Sequence, residues 1–168
     1  MTSSRIRRCI VVALFIAPAP VCANPAALEA RDFQGNPHSV DAYLGQGKWV
    51  VLMIWASDCH ICNEETPALN AFHEAHKNID AIVLGLTLDG QARKAQAQAF
   101  VDKHTVSFDN LIAEPPSVMA FYTRRTARRW VGTPTFLVYA PDDKLAAQQV
   151  GAVEPQVITT FMRGYAQP

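Results

Sequence analysis

Cysteine is scarce in this chain. Only four of 168 residues are cysteine, and two of them, Cys9 and Cys22, fall within the first 23 positions. The remaining pair, Cys59 and Cys62, is too small a set for a structural disulfide framework or a four-ligand zinc site. There is also no apolar run of the roughly 20 residues that a membrane helix needs. No sign of charge prevails, since 15 Lys and Arg balance 15 Asp and Glu. Three of those arginines, Arg5, Arg7 and Arg8, lie at the start. Without them the chain carries about −3, which excludes the electrostatic footing of a nucleic-acid binder. Internal repeats and low-complexity tracts are missing too.

What is present is a globular composition. Apolar residues make up 49% of the chain, enough for the packed core of one domain. The start reads as an export leader: a basic n-region, an apolar stretch from Cys9 to Ala17, Pro18 and Pro20 as breakers, and small residues at Val21-Cys22-Ala23. Residues 1–23 are therefore expected to be a cleaved signal peptide, and 24–168 the mature domain. The rival expectation is an uncleaved N-terminal membrane anchor.

The chain is organised around one stretch, Trp55 to Pro67. A continuous apolar run, Trp49–Trp55, precedes it, as expected of a strand buried on both faces. A helical pattern follows, with Pro67 inside it. Between them lie Cys59 and Cys62, separated by His60 and Ile61. A helix N-terminus carries unpaired N–H groups and partial positive charge, so a thiol placed there loses its proton more easily. The second thiol lies close by on the opening turn and can close a disulfide with the first. The sequence thus predicts a reversible dithiol/disulfide switch, with Cys59 as nucleophile and Cys62 as the more buried resolving thiol. His60, as imidazolium, would favour the Cys59 thiolate; Asp58 would oppose it, or cap the helix. His73 and His76 are expected to be solvated surface residues, and no metal is assigned.

Further strands are expected over 80–88, 135–140 and 145–150, with short extended pieces at 29–34 and 105–108. Helices are expected over 91–104, from Ser117 with that residue as cap, and over 155–165 with proline at its first position. Pro115 and Pro116 are expected to punctuate a loop. The fold class is α/β, a mixed central sheet with helices on both faces.

Several residues carry a resemblance. Trp55-Ala56-Ser57-x-Cys59-x-x-Cys62, then Glu65 and Pro67, and the loop Gly132-Thr133-Pro134-Thr135-Phe136 resemble the thioredoxin fold, and within it the exported TlpA/ResA-like thiol–disulfide oxidoreductases. The likeness spans roughly 29–165. It implies a thioredoxin-like domain that acts on cysteine-containing exported proteins in the periplasm and exchanges electrons with a membrane thiol–disulfide donor or acceptor. It implies no cofactor beyond the redox-active disulfide. It also implies a cis Pro134, a Thr133 backbone that pairs with extended substrate, and a partly buried Glu65 that tunes or relays thiol protons. Trp55 shields the site while filling core. The chain departs from the family in carrying Asp58 where an aromatic residue is usual, and Met53 where thioredoxins bury an acid.

A reductase, for instance one serving cytochrome c maturation, is the favoured reading. A DsbA-like oxidant is the alternative within the class. A thiolate copper chaperone and a redox-inert binding domain are alternatives outside it. Arg124, Arg125, Arg128 and Arg129 form a charge run that is either solvated or a docking patch for an acidic partner.

Overall fold

The computed structural model describes residues 28–165, so the expected leader and its cleavage point lie outside the described residues. Seven strands and four α-helices follow in order among the described residues: β1 (Ala30–Arg31), β2 (Pro37–His38), β3 (Trp49–Trp55), α1 (His60–His76), β4 (Ala81–Thr87), α2 (Lys94–Lys103), β5 (Asn110–Ile112), α3 (Pro115–Thr126), β6 (Thr135–Tyr139), β7 (Leu145–Val150) and α4 (Pro155–Tyr165), with short 3-10 turns at Val40–Tyr43 and Gln91–Arg93. The strands form one mixed sheet in the order β2-β1-β5-β4-β3-β6-β7. β3 and β4 run parallel, while β6 lies antiparallel to β3 and β7 antiparallel to β6.

The unbroken apolar run of β3 has a simple cause. It lies inside the sheet, paired with β4 on one side and β6 on the other, and its alternate side chains feed two separate cores. Trp49, Val51, Met53 and Trp55 point to one face, where Leu69 and Phe72 of α1, Phe100 of α2 and Ile158 of α4 cover them. Val50, Leu52 and Ile54 point to the other, against Val118, Phe121 and Tyr122 of α3. Each fully buried aliphatic side chain contributes about 1.5–3 kcal/mol of transfer free energy, so a register slip by one residue would cost both cores.

Three expectations need correction. The segment 105–108 forms no strand: Thr105 turns with a positive φ of 47°, Phe108 drops into the core, and β5 begins only at Asn110. Pro115 and Pro116 do not mark a loop but open α3, where a missing N–H costs nothing because the first turn leaves it unpaired. Glu114, not Ser117, is the residue preceding that helix, and its carboxylate accepts the Gln91 N–H at 2.9 Å. α1 runs as one 17-residue helix with Pro67 inside it.

Candidate active site

Parallel pairing of β3 and β4 builds the site. The register sets Trp55 opposite Thr87, so the two chains leave the sheet side by side at their C-terminal ends. That edge is where α/β sheets collect functional residues. Two residues further on, Ser57 meets Asp89. The Asp89 Oδ2 atom accepts the Ser57 backbone N–H at 2.8 Å and the Thr87 hydroxyl at 2.7 Å, and Oδ1 accepts the Ser57 hydroxyl at 3.0 Å. The turn entering α1 is thereby tied to the neighbouring strand.

Cys59 is the N-cap of α1, with extended backbone, and its Sγ accepts the Cys62 backbone N–H at 3.2 Å. The two cysteines are joined as a disulfide with their Cα atoms 5.2 Å apart. Cys62 is fully buried in the core, whereas Cys59 is half-buried at its edge. Asp58 therefore does not cap the helix. Its carboxylate instead pairs with Arg93, Nη1 to Oδ2 at 2.8 Å.

His60 is exposed and faces Glu64 across one helical turn, Nε2 to Oε1 at 3.2 Å. Glu65 turns inward. Its Oε1 accepts the Val153 backbone N–H at 2.6 Å. Burial pushes its carboxyl above the ordinary range, partly offset by that hydrogen bond. Trp55 is buried, stacks on Phe100 with ring centroids 4.2 Å apart, and donates its indole N–H to Asn110 at 3.0 Å. Met53 is buried among apolar neighbours.

The loop before β6 comes to the same edge. The Thr133–Pro134 peptide is cis, and Pro134 is buried while Thr133 is half-exposed. A cleft of about 370 Å³ joins Thr133, Gly132 and Trp130 to Asp58 and Arg93. Among the described residues, no hydrogen bond engages the Thr133 backbone.

One of the two histidines expected on the solvated surface of α1 is buried instead. His73 is not a solvated surface residue. It is buried, and its Nδ1 accepts the Val83 N–H at 3.1 Å, because its position on α1 faces β4. His76 pairs with Asp80 at 2.7 Å. Of the four arginines around α3, Arg125 is structural: it pairs with Asp41 and lies over the Phe121 and Tyr139 rings, 5.3 and 5.9 Å from their centroids.

The segment between β4 and β5 supplies support that no local sequence pattern announces. Arg93 reaches Asp58 from the start of α2. From its end, Lys103 and His104 both contact Asn63 Oδ1 at 2.9 Å, and the Asn63 amide donates to the Cys59 carbonyl at 2.9 Å. The nearest hint is Asp89 itself, an acid directly after an apolar strand at the sheet's C-terminal edge.

Comparison with known structures places this architecture. The thioredoxin domain of a Bacteroides vulgatus thiol-disulfide oxidoreductase is 19% identical, with a TM-score of 0.65 over 83% of this chain and 98% of that one. A secreted Mycobacterium tuberculosis disulfide oxidoreductase homologous to Escherichia coli DsbE is 22% identical, with a TM-score of 0.63 over 83% and 96%. A DsbF homologue from Corynebacterium diphtheriae is 23% identical, with a TM-score of 0.64 over 82% and 85%. These likenesses establish a thioredoxin-like fold. A search of curated proteins finds no match. The family model for AhpC/TSA matches residues 11–148, most of the sequence, and the chain therefore belongs to the AhpC/TSA family.

Proposed function

We propose that this protein is a thiol–disulfide oxidoreductase that exchanges disulfides with cysteines of other exported proteins, working as a reductase. The observation that carries the reading is the seat of Cys59. It caps α1, its sulfur receives the Cys62 N–H, and it forms a disulfide with a fully buried partner. An N–H donor and a helix N-terminus both favour a thiolate over a thiol.

In the dithiol form the Cys59 thiolate attacks one sulfur of a substrate disulfide. That S–S bond breaks, a mixed disulfide forms, and the displaced sulfur leaves as a thiolate. Cys62 then gives its proton to Glu65 and attacks the Cys59 sulfur. The mixed disulfide breaks, the second substrate thiolate leaves, and Cys59–Cys62 closes. Two electrons pass to the substrate, whose thiolates take up protons, and a membrane thiol–disulfide donor returns two electrons. The raised carboxyl of Glu65 suits it to hold that proton. The Thr133 backbone is the pairing edge for extended substrate, and Trp55 closes the core beneath the cysteines. His60, already facing Glu64, adds a smaller influence on Cys59.

The expected leader supports a periplasmic location, as does the description of the M. tuberculosis neighbour as secreted. Among the described residues no helix is long and apolar enough to cross a membrane.

Capture of oxidised insulin tests the reading. Cys62→Ser should accumulate a mixed disulfide that dithiothreitol releases, and Cys59→Ser should accumulate none. Failure of both variants to capture insulin would contradict it. Equilibration with glutathione tests the direction: a potential of about −250 mV or lower fits a reductase, and one near −120 mV makes the protein an oxidant. Tight copper or zinc binding by the reduced protein would favour a metal-holding role instead.

A further inference from the structure

We propose that Arg93 is a positioning residue that cancels the charge of Asp58 beside Cys59 and so keeps that thiol reactive. The proposal rests on the thiol-exchange reading above and concerns what tunes it. A carboxylate directly before a nucleophilic cysteine is a liability, because it repels the thiolate that must form. Asp58 is such a carboxylate, with its side chain 66% exposed.

The guanidinium that meets it is not a loose surface partner. Arg93 engages three groups at once: Asp58 Oδ2 through Nη1 at 2.8 Å, the Ser57 hydroxyl through Nη2 at 3.1 Å, and Asp89 Oδ1 through Nε at 3.2 Å. Asp89 is the anchor. Its side chain is fully buried, and it is fixed in turn by Thr87 and by both the backbone and hydroxyl of Ser57. Most exposed ion pairs gain little because two mobile side chains must be immobilised. Here the buried carboxylate holds the arginine in place, so the pairing with Asp58 carries less of that entropic cost. The planar fork of arginine suits this shared duty better than a lysine would.

The other charged groups around the cysteines cannot take over the role. His60 faces Glu64, which offsets its charge when protonated. Glu65 is turned towards Val153. Lys103 and His104 act on Asn63 and reach Cys59 only through its carbonyl. Removing Arg93 leaves Asp58, the residue next to Cys59, without its cation, whereas Asp89 keeps its hydrogen bonds from Ser57 and Thr87. The thiolate then becomes harder to form and the disulfide harder to reduce.

The test is the rate of iodoacetamide alkylation of Cys59 in the reduced full chain, followed by mass spectrometry from pH 5 to 9. In Arg93→Gln the rate at pH 6 should fall on the order of tenfold, matching a rise of about one unit in the midpoint. Asp58→Asn in the same background should restore it to within about twofold of wild type, and far-UV circular dichroism should be unchanged throughout. A merely structural role would leave the double variant as slow as Arg93→Gln, and that result overturns the proposal. So does an Arg93→Gln variant that reacts at the wild-type rate. A wild-type Cys59 that reacts like free cysteine is a different failure, that of the exchange reading itself.

Discussion

Glu65 Oε1 accepts the Val153 N–H at 2.6 Å, while Oε2 is buried without a hydrogen-bond partner among the described residues. One inward carboxylate thereby ties α1 to the segment leading into α4 and is left half-satisfied. Burial raises its pKa from the ordinary 4.5. In the window above 4.5 the folded chain therefore binds more protons than the unfolded chain. Its contribution is most favourable below 4.5 and is lost as pH rises through the folded value. Glu65→Gln in the oxidised protein should melt about one to three degrees higher at pH 7, the difference closing towards pH 4. A lower melting temperature at pH 7 would contradict the sign. In the same variant, closure of Cys59–Cys62 from a mixed disulfide should slow on the order of 100-fold, measured by quenched flow.

His73 works in the opposite direction. Its ring is buried and accepts the Val83 N–H, so the neutral form fits the fold. Burial holds its pKa below 6.5, and burial followed by the nearby Lys103 does the same to His104. A depressed histidine pKa means that the unfolded chain binds more protons between the folded value and 6.5. Stability is full above 6.5 and is lost as pH falls through that window. Urea midpoints of the oxidised protein should drop between pH 7 and pH 5, and His73→Gln should drop less. Equal drops would exclude His73 as the cause.

Gly85 is a space requirement. A Cβ there would lie 1.8 Å from Asn110 Oδ1 and 3.0 Å from the Trp55 indole nitrogen. Only glycine leaves room for the hydrogen bond between those two side chains. Gly85→Ala should destabilise by about 1–3 kcal/mol in urea unfolding, the usual range for overpacking, and should shift Trp55 fluorescence. An unchanged midpoint would show that the site relaxes freely.

Much of this architecture was legible before the structure. The strands Trp49–Trp55 and Leu145–Val150 and the helix Pro155–Tyr165 fall where the pattern placed them, because a continuous apolar run, a hairpin turn and an N-terminal proline are local signals. The two-residue strand Pro37–His38 and the displaced Asn110–Ile112 were not legible. Pieces that short owe their conformation to pairing partners distant in sequence. The cysteine pair was legible from its spacing. The ties of Asp89 to Ser57 and of Arg93 to Asp58 were not, since they depend on the β3–β4 register and on a loop more than thirty residues away. His73 was misread because a single polar residue on a helix does not reveal which face it occupies.

In the proposed mechanism Cys59 is acidified by its place at the start of α1. The most direct measurement is its alkylation rate across a pH series in the reduced protein. The expected result is a Cys59 midpoint below that of free cysteine, with Cys62 reacting far more slowly. Both thiols titrating at about 8.5, the value of free cysteine, would contradict it.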